Sequence, residues 1–281
     1  MRADLHIHTI ASDGTWMPEE VVAHVKAAGL GLFAVADHDT VESIPAIAAI
    51  LRRTPGAPAF LPAVEISTLL DSTLVHILGY GVSPDDPRLN ELLAANRRRL
   101  ERVNDETLRR MKEAGYPVDL EAYERYQNDP ARGGWKGLNF LIDNGLCQDV
   151  VDFFTRIFVD PVRPPAPDFP HPAEAIAQIR EAGGTPILAH PGGSFRGRGP
   201  IEESLPPFLE FGIAGVECYS PYHDAETTAR CRAFCVQHHL LITGGSDCHG
   251  GFANRQLGVP PVILEDLRLG PLTERIVGGN W

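Results

Sequence analysis

Two histidines separated by a single residue, His6 and His8, stand near the start of the chain in the sequence DLHIHTIASDG. In an extended strand, alternate side chains point to the same face, so these imidazoles share one face while Leu5 and Ile7 share the other. Burying imidazoles is costly unless their nitrogens are used, and neutral imidazole is the commonest metal ligand among side chains. This strand alone fits a metal site and a pair of surface histidines equally well.

Further residues able to bind metal ions lie in or near segments that are typical of strands: Asp13, His38, Glu65, His76, His190, Asp247 and His249. Imidazoles suit zinc, iron or manganese, and carboxylates add charge and can bridge two ions. Each segment also has an ordinary interpretation, such as a hydrogen-bonded core histidine or a loop-capping aspartate. Those interpretations would have to hold in every segment at once, so the pattern favours one metal centre.

The elements that would position these residues alternate between strands and helices. The apolar run LGLFAVA, for example, is typical of a parallel strand buried on both faces. The pattern predicts an α/β fold, a distorted seven-stranded TIM-like barrel of parallel strands and helices. In such a barrel the carboxyl ends of the strands open onto one face, where the candidate ligands would converge.

The alternation stops between residues 83 and 169, where a long amphipathic helix and further helical pieces are expected instead. We therefore predict a barrel from residues 1–82 and 170–281, with residues 83–169 as a helical insertion or cap.

Composition restricts the classes of partner. The formal net charge of −12 argues against a stable grip on long nucleic acid, although divalent ions would still allow phosphorylated substrates. No apolar run is long enough to span a membrane, and because a strand is expected directly at the start, we expect no signal peptide. Five scattered cysteines fit reduced thiols, so we expect a cytoplasmic protein with no membrane partner.

Six segments resemble the PHP (polymerase and histidinol phosphatase) family of metal-dependent phosphoesterases, and their order agrees with that family: DLHIHTIASDG, ADHDT, AVEIS, VHILGYG, LAHPGG and GGSDCHG. The resemblance is strongest to stand-alone bacterial members with a helical insertion. That group includes nucleotide and nucleoside-bisphosphate phosphatases, an exoribonuclease-like branch and a cyclic phosphodiesterase. The resemblance implies a barrel holding three divalent ions, which could be manganese, iron or zinc.

The resemblance also implies how the ligands are shared. One ion would be bound by His6, His8, Glu65 and Asp247. A second ion would share Glu65 and add His76 and His190. The third would be bound by Asp13, His38 and His249.

The same resemblance gives an expected mechanism. Glu65 as a bridge would hold two ions roughly 3.5–4 Å apart, and a water between them would attack phosphorus in line. Asp37 and Asp39 flank His38 and could orient it or carry protons, or could cap the loop. We therefore predict Asp39, Glu65 and Asp247 as the catalytic residues.

Substrate contacts are predicted from four residues. The insertion lacks the Arg-Thr-His stretch with which relatives clasp a nucleotide phosphate, and instead has ARGGWKGLNFLIDNGL. Within it, Lys136 could contact a phosphate and Trp135 could stack on a base or sugar, or both could belong to the core of a capping helix. Arg196 and Arg198, in the loop after His190, are further candidates for phosphate contacts.

We expect a hydrolase that cleaves a phosphate ester of a small nucleotide- or sugar-like metabolite. A 5′-3′ exoribonuclease that trims short oligonucleotides is an alternative, because the long helix is rich in arginine, although acidic residues interleave. A cyclic phosphodiesterase is another. A more distant alternative is an amidohydrolase-type C–N hydrolase, whose barrel also opens with a His-x-His strand but holds one or two ions.

Overall fold

A computed structural model describes residues 1–279 of the chain. The strands are β1 (Arg2–Ile7), β2 (Leu32–Val35), β3 (Ala59–Leu70), β4 (Thr73–Tyr80), β5 (Thr185–Leu188), β6 (Gly215–Tyr219), β7 (Leu241–Gly244) and β8 (Val262–Ile263). They form one sheet in the spatial order β7-β6-β5-β4-β3-β2-β1-β8. The protein is thus an α/β fold built on eight strands rather than the expected seven.

Helices cover the sheet and fill the long segment between β4 and β5. They are α1 (Pro18–Ala27), α2 (Ser43–Leu51), α3 (Pro87–Glu113), α4 (Leu120–Arg125), α5 (Lys136–Asp143), α6 (Val150–Asp152), α7 (Pro172–Glu181), α8 (Pro191–Ser194), α9 (Ile201–Ser204), α10 (Pro206–Glu210) and α11 (Ala225–Gln237). Shorter turns of 3-10 helix lie at Pro130–Arg132, Leu264–Asp266 and Gly270–Arg275, and a π-helix at Phe153–Ile157. None of the helices in residues 1–279 has the length and apolar character needed to cross a bilayer.

The sheet nearly closes on itself through the loop that follows β7. The amide of His8 donates to the carbonyl of Cys248 at 2.8 Å, and Ile7 forms an isolated parallel bridge with the same cysteine. β8 pairs antiparallel with the outer side of β1. The chain therefore builds a barrel-shaped sheet whose two ends meet beside the His-x-His strand.

The expectation that all strands run parallel is wrong for β4. It pairs antiparallel with both β3 and β5, because only Asp71 and Ser72 separate it from β3. These two residues have φ values of 46° and 65°, as a two-residue hairpin turn requires. A strand that returns directly through such a turn has to run antiparallel to the one before it.

Two buried clusters sit on the two faces of the sheet. One packs strand residues such as Phe33 against helix residues such as Val25 and Ile47, and the other joins Leu61 of β3 to Leu78 of β4 on the opposite face. Along β3, the alternate residues after Leu61 lead to Glu65, so the carboxylate lies above the second cluster.

The strand β1 departs from strict alternation. Its pairing with β2 shifts register between Asp4 and Ile7. As a result Leu5 belongs to one buried cluster and Ile7 to the other, contrary to the expectation that they share a face. The irregularity is of the kind that re-aims side chains next to functional sites.

The segment between β4 and α7 contains helices and no strand among its described residues. Asp86 caps the start of α3 by accepting from the amide of Leu89 at 2.8 Å, with Pro87 in the first turn. Leu89 packs in the barrel's core, whereas Leu108 farther along α3 packs in a third buried cluster formed within the segment. The division into a barrel and a separate insertion stays a prediction.

Candidate metal centre

Glu65 stands at the centre of the candidate site and is completely buried. Its Oε1 lies 2.9 Å from Nε2 of His190 and 3.0 Å from Nδ1 of His76. Its Oε2 lies 3.1 Å from Nδ1 of His38 and 3.2 Å from Nε2 of His6. The two oxygens of one carboxylate thus face different sets of imidazoles, which is the arrangement that a bridging ligand needs.

The side chains expected to bind the first ion come together as a group. Ligand atoms of His6, His8, Glu65 and Asp247 lie within 4.8 Å of one another. Oδ1 of Asp247 is 2.9 Å from Nε2 of His8 and 3.5 Å from Nε2 of His6. All four residues are buried.

The remaining ligand-competent residues form two further groups around the first. His8, Asp13, His38 and His249 make one group, and His38, Glu65 and His76 make the other. The first of these adds His8 to the predicted set. The second contains His38 in place of His190, although His190 also contacts Oε1 of Glu65. The structure brings all nine predicted residues together, with more sharing between groups than the sequence suggested.

Buried atoms without hydrogen-bond partners support a fit to metal ions. Among residues 1–279 they include His6 Nε2, His8 Nε2, Asp13 Oδ1, His38 Nδ1, Glu65 Oε2, His76 Nδ1 and Asp247 Oδ1. Leaving a buried polar atom unsatisfied costs about 1–3 kcal/mol, so several such atoms facing one another need an explanation. Metal ions would supply it, because lone pairs of imidazoles and carboxylates converge on the same space.

The electrostatics suit cation binding. Burial alone would raise the pKa of Glu65, but the neighbouring His38 and His6 hold this pKa well below its usual range. Burial would also raise the pKa of Asp247, but His6 and His249 hold it well below its usual range. Burial and the nearby His249 and His38 lower the pKa of His8 to about 3. At neutral pH the site therefore offers charged carboxylates and a neutral imidazole.

Residues outside the predicted set fix the ligands in place. Glu217 of β6 is fully buried, and its Oε1 accepts from Nδ1 of His6 at 3.0 Å while its Oε2 accepts from the amide of His190 at 2.9 Å. Nδ1 of His249 lies 2.7 Å from the carbonyl of Asp247. The signal that could have predicted Glu217 is its position as a lone glutamate inside the apolar strand GVECY.

The two aspartates beside His38 have different surroundings. Asp37 accepts hydrogen bonds from Thr9 and Ser43, so it anchors the loops as a cap. Asp39 accepts at Oδ1 from Nδ2 of Asn96 at 2.7 Å, while its buried Oδ2 has no partner among the described residues. Helix α3 thereby reaches the site. The catalytic role of Asp39 stays a prediction.

Three non-glycine residues at this mouth of the barrel have positive φ. Asp39, His190 and Asp247 have φ values of 50°, 24° and 50°. Side-chain-bearing residues adopt this left-handed region at a cost of about 1–3 kcal/mol, and such strain clusters at functional sites.

The insertion contacts the site through Gly134, whose amide donates to the carbonyl of Asp13 at 2.8 Å. A Cβ on the neighbouring Gly133 would lie 2.7 Å from Phe252 Cβ, so glycine permits this close approach. Trp135 is half-buried and packs against Phe153 and Phe252, with ring centroids 5.3 and 6.4 Å away.

The other predicted substrate residues lie in two places. Nζ of Lys136 donates to the carbonyl of Glu124 at 3.3 Å and sits 4.7 Å above the ring of Tyr123, within the helical segment. Arg196 and Arg198 are exposed in the loop after His190. Their roles stay predictions.

A cavity of about 460 Å³ adjoins the ligand cluster. Arg196, Tyr222 and Arg230 contribute to its walls. The ring of Tyr222 also lies 5.0 Å from that of His190, and its hydroxyl donates to Asp247 at 2.9 Å. The volume is in the range of small-molecule pockets, and Tyr222 connects the cavity wall to the candidate ligands.

A barrel mouth that gathers imidazoles and carboxylates in this way defines a metal-dependent hydrolase. No protein-family model matches the chain. The 3′,5′-nucleoside bisphosphate phosphatase of Chromobacterium violaceum is 31% identical over 268 residues, covering 92% of this chain and 93% of that protein. The 5′-3′ exoribonuclease Rnm of Escherichia coli is 28% identical over 247 residues, which cover 88% of this chain and 84% of that protein.

A solved structure agrees. A protein of Bifidobacterium adolescentis, named as a metal-dependent phosphoesterase, superimposes with a TM-score of 0.83 and 26% identity, covering 98% of this chain and 96% of that one. The chain belongs to the PHP family of metal-dependent phosphoesterases, as its motifs suggested. It is accordingly a hydrolase of phosphate ester bonds.

Proposed function

We propose that the protein releases phosphate from a small nucleotide-like metabolite at a centre of three divalent ions. The observation that carries the proposal is the convergence of nine ligand-competent residues, among them Glu65, whose two carboxylate oxygens face different imidazoles. The nucleotide assignment is supported by the relative in Chromobacterium violaceum, which acts on 3′,5′-nucleoside bisphosphates.

Three ligand sets would hold the ions. The first is His6, His8, Glu65 and Asp247, the second is Glu65, His76 and His190, and the third is Asp13, His38 and His249. Bound divalent ions supply Lewis acidity and lower the pKa of coordinated water. The chain itself supplies charged carboxylates, oriented imidazoles and, at Asp39 Oδ2, a buried acceptor without a partner among the described residues.

The cavity beside Tyr222 would take the part of the substrate beyond the scissile phosphate. Arg230 in the cavity wall forms ion pairs with Glu202 and Glu226, and its Nη2 lies 2.6 Å from Oε1 of Glu226. Arg196 has no ion pair among residues 1–279, so its guanidinium is free to contact a second phosphate. We therefore propose Arg196 as the contact for a second phosphate group of the substrate.

An exoribonuclease remains the second candidate, favoured by the likeness to Rnm. The charge pattern of α3 gives it less support than its sequence suggested. Arg99 and Arg102 lie near Asp168 at 3.3 and 3.6 Å, and Arg110 pairs with Glu106 at 2.8 Å. Each of these arginines has an acidic neighbour, although Arg99 and Arg102 share Asp168, so the helix offers less positive charge to an RNA backbone than its arginine content suggests.

The test is phosphate release by the manganese-loaded protein from a matched panel of substrates. The panel holds nucleoside monophosphates, 3′,5′-bisphosphates, cyclic phosphates and short 5′-phosphorylated RNA. We expect the highest kcat/KM on the bisphosphates and three ions per chain by elemental analysis. Preferential release of mononucleotides from RNA would select the exoribonuclease, and one ion per chain with C–N bond hydrolysis would overturn the proposal.

A further inference from the structure

The two oxygens of the Asp247 carboxylate have different surroundings. Oδ1 lies 2.9 Å from Nε2 of His8, and no hydrogen-bond donor serves it among residues 1–279. Oδ2 accepts from the hydroxyl of Tyr222 at 2.9 Å and from Nη1 of Arg255 at 2.5 Å. The carboxylate is therefore held on one side and open toward the predicted ligands on the other.

Arg255 contacts the backbone of the same aspartate as well as its side chain. Nη1 lies 3.1 Å from the carbonyl oxygen of Asp247. Asp247 has a φ of 50°, a conformation that a non-glycine residue adopts only when its surroundings enforce it. One guanidinium thus contacts both the backbone carbonyl and the carboxylate of Asp247, and so restrains the backbone conformation and the side-chain orientation together.

Tyr222 is held by contacts of its ring with Arg255 and His190. Cζ of Arg255 lies 5.0 Å from the ring centroid, and the ring of His190 lies 5.0 Å away. A stacked guanidinium and a neighbouring imidazole leave the ring little freedom to rotate. The hydroxyl is consequently aimed at Oδ2.

We propose that Tyr222 and Arg255 are positioning residues that commit Oδ2 of Asp247 to the protein and present Oδ1 alone to a metal ion. A carboxylate freed from both donors can rotate and offer either oxygen, so its geometry is no longer prepared. Removing a residue that hydrogen-bonds to a metal ligand typically lowers metal affinity or activity by about 10–100-fold. This inference rests on the proposed metal centre, in which Asp247 is a ligand.

The variants are Tyr222→Phe, Arg255→Lys and the double substitution. Phenylalanine removes only the hydroxyl, and lysine keeps the charge but loses the planar guanidinium. A matched control exists in the insertion, where Asp143 Oδ2 accepts from the Tyr126 hydroxyl at 2.6 Å and from Arg132 at 2.7 Å. Tyr126→Phe therefore breaks the same kind of contact away from the metal centre.

Affinity for Mn²⁺ is measured by competition with a fluorescent chelator, together with the number of ions bound and the unfolding temperature of the chelated protein. We expect Tyr222→Phe and Arg255→Lys each to lower the affinity for one Mn²⁺ ion by about tenfold. Their effects should not add, because both donors serve one oxygen. Tyr126→Phe should leave metal affinity unchanged.

Asp247→Asn tests the proposed metal centre separately from the positioning role of Tyr222 and Arg255. If that variant binds all ions normally, the proposed metal centre itself is wrong. If it loses an ion while Tyr222→Phe and Arg255→Lys bind every ion with unchanged affinity, only the positioning role is refuted. A lower unfolding temperature of the chelated variants with unchanged metal affinity would show a purely structural role and refute it equally.

Discussion

At the scale of single residues, the site depends on the distinct surroundings of carboxylate oxygens. Glu65 turns one oxygen toward His76 and His190 and the other toward His6 and His38. Asp247 instead gives one oxygen to its metal-facing neighbours and the other to Tyr222 and Arg255. We therefore expect the glutamate, rather than the aspartate, to bridge two ions.

Glu65→Gln tests that role with almost no change in volume. The amide loses the negative charge and places an NH₂ group where an acceptor is needed, so two ligand sets are weakened together. We expect phosphate release to fall by at least ~100-fold and fewer ions to be retained. Glu106→Gln, which removes a surface partner of Arg110, is the control and should keep full activity and metal content.

At the scale of elements, the β3–β4 hairpin determines how His76 reaches the site. Because β4 runs antiparallel, its first half rather than its end lies at the mouth, and His76 pairs in register with Ser67 of β3. The sequence prediction placed this histidine near the other ligands although it assumed the wrong strand direction. The turn that decides the direction is only Asp71 and Ser72, too short for the helix that a parallel connection needs.

The turn gives a stability prediction with a definite sign. Ser72 is exposed and has a φ of 65°, which glycine adopts without steric cost. We expect Ser72→Gly to raise the free energy of unfolding by about 0.5–1 kcal/mol, measured by urea titration, with activity unchanged.

Ser83→Gly is the comparison for that turn, because Ser83 is exposed but does not have positive φ. There the added freedom of the unfolded chain should lower stability instead. Equal effects of the two substitutions would contradict the role assigned to the left-handed turn.

At the scale of the whole molecule, the ligands come from both ends of the chain, from His6 to His249. The sequence was sufficient to predict the α/β class and all nine members of the cluster, because ligand-competent residues stand out beside apolar strands. It could not reveal the roles of Glu217, Tyr222 and Arg255, which acquire them only through tertiary contacts. Nor could it show that the loop after β7 joins β1 through His8 and Cys248.

This joining of distant segments predicts that metal ions stabilise the entire fold. Ions that bind the folded chain and not the unfolded one add RT ln(1 + [M]/Kd) to its stability, about 2.7 kcal/mol at a hundredfold excess over Kd. For a chain of 281 residues we expect chelation to lower the unfolding temperature by about 5 °C for each ion lost, and added Mn²⁺ to restore it. Glu65→Gln should show a smaller metal-dependent shift, since it weakens two ligand sets, whereas Glu106→Gln should show the full one. An unfolding temperature independent of metal in the unsubstituted protein would mean that the cluster does not hold the two ends of the barrel together through bound ions.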